Sequence, residues 1–203
     1  MVLHVMKMPP RFLVGVLFFA LAASSHASAP LPRMSDICIN AAPAANFSNA
    51  AYEGTWFEIA KYQTAGGAFF ERNCVCTRVD VAALPAPSVD LSAHFSCRDK
   101  VPSGKFLNAT GRLYDEDPPG KWMQKLMVFV PPVSYTIVAM GEWQGEEYSV
   151  EYDCGGSNYC VHFSARQPTM SQQLLQHLLT LVDDMRLNVH NLPLLVTNQS
   201  GCW

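Results

Sequence analysis

Between Trp56 and Arg166 the chain is a succession of short segments in which apolar and polar residues alternate, each cut off by turn residues, with no sustained helical period. The pattern predicts eight strands: Trp56–Tyr62, Cys74–Val81, Val89–Cys97, Lys105–Tyr114, Trp122–Val130, Tyr135–Met140, Tyr148–Tyr152 and Tyr159–Ala165. The second is the clearest, with Val75, Thr77, Val79 and Val81 on one face and Cys74, Cys76, Arg78 and Asp80 on the other. Leu84-Pro-Ala-Pro-Ser88 and Asp115-Glu-Asp-Pro-Pro-Gly120 are loops, and Gly155-Gly-Ser-Asn158 is a tight hairpin turn. Strands with such short connections pair antiparallel, and closing them into a barrel removes the two unpaired edges an open sheet would keep. After Arg166 the period changes. Leu174, Leu175, Leu178, Leu179 and Val182 recur at helical spacing behind a capping Thr169. One helix with one apolar stripe must lie on the outside of the sheet, and Leu192–Val196 can add a last short strand. The expected fold class is all-β with one C-terminal helix, an eight-stranded antiparallel up-and-down β-barrel.

The start of the chain has a different purpose. Lys7 and Arg11 precede the apolar run Phe12–Ala23, and Ser25-His-Ala27 offers small residues for cleavage, so residues 1–27 are expected to be a signal peptide and 28–203 a single domain. That run is short for a transmembrane helix, and no later stretch reaches the roughly 18–20 apolar residues such a helix needs. Seven cysteines, at 38, 74, 76, 97, 154, 160 and 202, all follow the leader, which points to disulfides in a secreted, extracellular protein. The spacing Cys74-Val-Cys76 lacks the two-residue spacer of a zinc knuckle or redox motif, and no metal or cofactor is expected. Asn46-Phe-Ser48, Asn108-Ala-Thr110 and Asn198-Gln-Ser200 are glycosylation sequons compatible with export. The formal net charge of −3 argues against nucleic acid as a partner.

Gly54-Thr-Trp56 ahead of the first strand, Ala165-Arg166-Gln-Pro168 after the last, Phe70-Glu-Arg-Asn-Cys74, Tyr148-Ser-Val-Glu-Tyr-Asp-Cys154 and Asn198-Gln-Ser-Gly-Cys202 together resemble the lipocalins, in particular the group of apolipoprotein D, insect bilin-binding protein and crustacyanin. The resemblance spans roughly Cys38 to Cys202. It implies that Gly54 and Trp56 open the barrel at its floor, with the Arg166 guanidinium lying over the indole. It also implies disulfides Cys38–Cys154 and Cys74–Cys202. The residues themselves make Cys76 and Cys97 neighbours on a regular hairpin, which leaves Cys160 odd. A competing pairing, Cys154–Cys160 across the Gly155-Gly156 turn, would free Cys38. The chain departs from the family's Thr-Asp-Tyr motif, where it has Met140-Gly-Glu142-Trp143 instead, and a differently shaped open end is expected.

Strand parity counted from Trp56 assigns an inward set: Glu58 and Ala60, then Thr77, Val79 and Val81, Leu126, Val128 and Val130, Tyr135 and Ile137, Tyr148, Val150 and Tyr152, and His162 with Ser164. Among these, Tyr135 and His162 resemble ligand-contact positions of the apolipoprotein D group. Large apolar walls with a few polar groups suit an apolar ligand with one polar end. The expected function is carriage of a small hydrophobic molecule, the resemblance naming lipid, sterol, retinoid, bilin and carotenoid as classes. Two alternatives stand beside it: a protein acting through its loops on a receptor with an unused barrel, and an enzyme working through a lumenal cysteine. The histidines show no metal spacing, and no Gly-x-Ser-x-Gly or phosphate-binding loop is present, so no enzyme is expected.

Overall fold

The structure is a computed structural model that describes residues 38–45, 47–65 and 71–203; the leader, the sequon Asn46 and Phe70 of the second-strand motif lie outside the described residues. A short helix α1 (Asn49–Tyr52) leads into β1 (Gly54–Gln63). Seven strands follow: β2 (Cys74–Ala83), β3 (Leu91–Asp99), β4 (Phe106–Glu116), β5 (Lys121–Lys125), β6 (Val133–Trp143), β7 (Glu146–Gly155) and β8 (Asn158–Ala165). Each pairs antiparallel with the next, and β1 bonds to both β8 and β2, so the sheet closes. Helix α2 (Gln172–Asp184) and the two-residue strand β9 (Leu195–Val196) complete the chain. Ser171, not Thr169, caps α2, its Oγ accepting from the Leu174 N–H at 3.2 Å. Among the described residues, no helix is long and apolar enough to cross a membrane.

Closure between β1 and β2 is brief, covering only Gly54 to Phe57 of β1. Beyond that the C-terminal tail fills the gap. Strand β9 pairs with Ala60 and Lys61, the Cys76 N–H donates to Asn198 O at 2.8 Å, and Gln199 Nε2 donates to Glu58 O and Thr77 O at 2.8 and 2.7 Å.

Two apolar cores lie on opposite faces of one sheet. Inside the barrel, Trp56, Val79, Val81, Leu91, Ala93, Leu113, Trp122, Tyr135 and Ile137 pack with Tyr52 of α1. Outside, Leu174, Leu178 and Val182 of α2 pack on Ala60, Tyr62, Val138, Ala139, Val150, Tyr152, Val161 and Phe163. The outer core corrects the parity expectation. On β7 the apolar face, Val150 and Tyr152, goes to the helix because α2 needs an apolar partner, and Glu151 stands opposite His162 in the lumen. Ala60 follows them outward because a bulge at Ile59 shifts the β1 register, which also turns Lys61 inward. The expected fifth strand is also too long. It ends at Lys125, and Val128 and Val130 sit in the following turn, exposed rather than lumenal.

Cys38–Cys154 forms as the resemblance implies, but the other two bridges are Cys74–Cys97 and Cys76–Cys202, in place of Cys74–Cys202 and Cys76–Cys97. A bulge is the cause. It sets Cys76 and Thr77 together against Cys97, and Cys76, at φ +55°, turns out toward the tail and leaves Cys97 to Cys74. Cys160 is the one free cysteine among the described residues. The replaced motif does not shape the open end: Trp143 pairs with Glu146 in a hairpin at the closed end, next to Glu147, whose carbonyl accepts from the Arg166 N–H.

Candidate binding site in the barrel lumen

The closed end is built from aromatic rings and one cation. The Arg166 guanidinium lies 3.7 Å from the Trp56 ring centroid, and its Nη1 and Nη2 donate to Thr55 O and Ala51 O at 3.1 and 2.8 Å. Gly54 permits this approach. It sits at φ +103°, and a Cβ there would stand 3.0 Å from Arg166 Nη1. Trp56 Nε1 donates to Tyr52 O at 2.8 Å, and the Tyr52 ring stacks between Trp56 and Trp122. Tyr52 Oη meets Tyr135 Oη at 2.9 Å, so Tyr135 belongs to the floor as much as to the lumen wall.

Above this floor the lumen wall formed by β1, β7 and β8 is ionic. Glu58 is its hub. One carboxylate oxygen accepts from His162 Nδ1 at 2.7 Å, and the other accepts from Thr197 Oγ1 at 2.6 Å and faces Lys61 Nζ at 3.1 Å. Lys61 also lies 3.9 Å from Glu71. Glu151 accepts from Ser164 Oγ at 3.0 Å and from Ser149 Oγ, and Asp153 lies 3.8 Å from His162 Nε2. Four carboxylates thus share the interior with one ammonium and one imidazole.

Burial acts on all of them, and neighbours decide the outcome. At Glu58 burial pushes upward, but Lys61 and His162 outweigh it and bring the carboxyl down to about 2. At Glu71 burial, reinforced by the Glu58 and Asp153 charges, outweighs Lys61 and His162, and the carboxyl rises to about 7. Burial likewise raises Glu151 and Asp153, with His162 pulling the other way. His162 goes in the opposite sense to its burial, because its bonds to Cys160 and Glu58 hold the imidazolium well above the ordinary range. Burial, with Asp153 beside it, pushes the Cys160 thiol up to about 12.

Glu58, Glu71, Thr77, Arg78, Val79, Phe95, Tyr135, Glu151, His162 and Ser164 line a cavity of about 20 Å³. That is room for about one water. A larger hollow of about 450 Å³ lies outside the barrel between Pro168–Met170 and the tail, and none of its lining residues titrates. Of the residues expected at the site, Glu58, Thr77, Val79, Tyr135 and His162 come together here, and Val81 and Ile137 pack in the inner core beside them. Val128, Val130 and Val150 do not join them. Lys61, Glu71, Phe95, Glu151 and Asp153 were not foreseen. The signal for two of them was Ser149-Val-Glu151-Tyr-Asp153, where polar residues hold one full face of a strand.

As chemistry, Cys160, His162 and Glu58 stand in the order nucleophile, base and orienting carboxylate. The contacts of the base favour its protonated form, and the thiol is 1% exposed with its ionisation suppressed. That is a poor nucleophile.

No protein-family model matches the sequence, and neither does any curated protein. Solved structures do. Lobster apocrustacyanin A1 superposes with a TM-score of 0.54 at 13% identity, covering 75% of this chain and 79% of that one. Apocrustacyanin C2 gives 0.55 at 12% identity over 74% of this chain and 79% of its own, and apocrustacyanin C1 gives 0.53 at 13% over the same shares. The fold is that of the lipocalins. Lipocalin barrels of eight strands leave an interior that side chains fill or one small ligand occupies.

Proposed function

We propose that the chain is a secreted carrier that holds one small molecule in the barrel lumen, the molecule having an apolar body and a polar end rich in hydrogen-bond donors, an amine above all. The observation that carries this reading is the asymmetry of the lumen: Val79, Phe95 and Tyr135 on one side, Glu58, Glu71 and Glu151 on the other. Carboxylates accept hydrogen bonds and attract cations, and an apolar wall takes a ring or chain out of water at about 25 cal/mol per Å². The ligand takes its place by displacing side chains at the cavity. Phe95, which is only partly buried, is the one that yields most readily.

Titration with a fluorescent aromatic amine and its uncharged analogue tests this. Saturable binding that prefers the amine and disappears in Val79→Trp supports the carrier; binding that survives Val79→Trp, or no saturable binding of either probe, refutes it. A second reading has one observation in its favour. The turn after β5 presents Val128 and Phe129, 80% and 98% exposed, and exposed apolar tips of this kind mark contacts with a receptor or a membrane surface. That reading predicts that Phe129→Ser abolishes the contact while Val79→Trp leaves it intact.

A further inference from the structure

The free thiol of Cys160 is not alone. Cys160 and His162 are two residues apart on β8 and so share a face, and Asp153 is the cross-strand partner of Cys160 on β7. One donor atom from each, the thiol sulfur, an imidazole nitrogen and a carboxylate oxygen, lies within 4.8 Å of the other two. We propose that Cys160, His162 and Asp153 form a binding site for a divalent transition-metal ion, zinc best fitting the donor set.

Three features support it. First, the orientation of the imidazole is fixed from behind: His162 Nδ1 is hydrogen-bonded to Glu58 at 2.7 Å, which leaves Nε2 facing Asp153. A carboxylate behind a ligating histidine is the usual outer support of a zinc site. Second, the buried Asp153 Oδ1 makes no hydrogen bond of normal geometry and stands 3.8 Å from His162 Nε2, so that acceptor is available to an ion between them. Third, the neighbouring cluster of Glu58, Glu71 and His162, which also has three donors close together, already holds a cation. Lys61 Nζ stands 3.1 Å from Glu58 and 3.9 Å from Glu71. Among the described residues no ammonium is paired with Asp153; the cationic neighbour there is the His162 imidazole, whose Nε2 gives up its proton when a metal binds.

The geometry needs little adjustment. Donors around a tetrahedral zinc stand roughly 3.3–3.6 Å apart, given bonds of about 2.0–2.3 Å. His162 Nε2 and Asp153 Oδ1 are 3.8 Å apart, and the three donors lie within 4.8 Å of one another, so side-chain rotations of about an ångström close the set. Thiolate, imidazole and carboxylate together favour zinc over calcium or magnesium, which take oxygen donors. Three protein ligands leave a fourth position for water, and the side chains of His162 and Asp153, 13% and 17% exposed, give the ion a route from solvent. This site does not depend on the carrier reading.

The test uses the full chain freed of metal and titrated with Zn²⁺ and with Co²⁺. The expected result is one equivalent bound, with a thiolate-to-cobalt charge-transfer band in the near ultraviolet. Cys160→Ser should remove that band and weaken binding at least tenfold, and Asp153→Asn should weaken it as well. Glu58→Gln should reduce affinity about 10–100-fold while the band remains. Glu142→Gln, at an exposed position of β6, should leave both unchanged. Wild-type protein needs no variant for a parallel check: its melting temperature should rise with Zn²⁺ concentration and fall back on chelation. Absence of the cobalt band, its survival in Cys160→Ser, or loss of binding in Glu142→Gln with none in Cys160→Ser would each overturn the site.

Discussion

Replacing Arg166 by Ala removes the seal on the barrel floor, and the structure allows the loss to be sized. The guanidinium packs 3.7 Å from the Trp56 centroid and donates to two carbonyls, Thr55 O and Ala51 O. A cation over an indole is worth about 0.5–1 kcal/mol when exposed and about 2 when desolvated, and this one is partly buried. Each hydrogen bond from a charged donor adds about 1.5–3 kcal/mol when buried, but the bond to Ala51 is exposed and counts for little. The sum is about 3 kcal/mol. For a domain of this size that is a fall in Tm of roughly 6–12 °C. Arg166→Lys should recover less than half, because an ammonium lacks the planar fork that serves two carbonyls and the ring at once. Gly54→Ala is an independent probe of the same contact, since its Cβ would press on Arg166 Nη1 at 3.0 Å and its φ of +103° is strained for alanine. The double variant should cost less than the two single ones added, because the clash disappears with the arginine. Thermal and urea unfolding measure all four proteins. A Tm for Arg166→Ala within about 2 °C of wild type, or strict additivity with Gly54→Ala, would refute the argument.

Non-reducing peptide mapping should recover Cys38–Cys154, Cys74–Cys97 and Cys76–Cys202, with Cys160 as a thiol that reacts only after denaturation; a Cys74–Cys202 fragment would contradict the bulge at Cys76. Glu71 binds its proton more tightly folded than unfolded, so stability should decline as pH rises from the ordinary carboxyl value of 4.5 through about 7. Glu71→Gln should flatten that decline, raising stability at pH 8 by at most about 3 kcal/mol and changing little near pH 4, as urea unfolding across pH would read out.

Local pattern was enough for the architecture. Alternation in short segments, turn residues between them and a single amphipathic helix leave a closed antiparallel barrel as the arrangement that buries every apolar face and removes every edge. Trp56 and Arg166 were legible through the resemblance of Gly54-Thr-Trp56 and Ala165-Arg166-Gln-Pro168 to lipocalin motifs, which implied their contact at the floor. Parity on β2 was legible too, because Thr77, Val79 and Val81 precede any covering element outside. What the sequence by itself could not settle was which side of the wall β7 presents to the lumen. Alternation in Tyr148-Ser-Val-Glu-Tyr-Asp153 says that two faces differ, and it says nothing of which one is inside. Helix α2 decides that, by demanding an apolar patch on the outside of β1, β7 and β8 and so sending Glu151 and Asp153 in beside His162. Bulges at Ile59 and Cys76 decide the rest. A single extra residue reverses the side-chain parity of everything beyond it, and whether the chain inserts one depends on partners far away in sequence, here the tail that ends in Cys202.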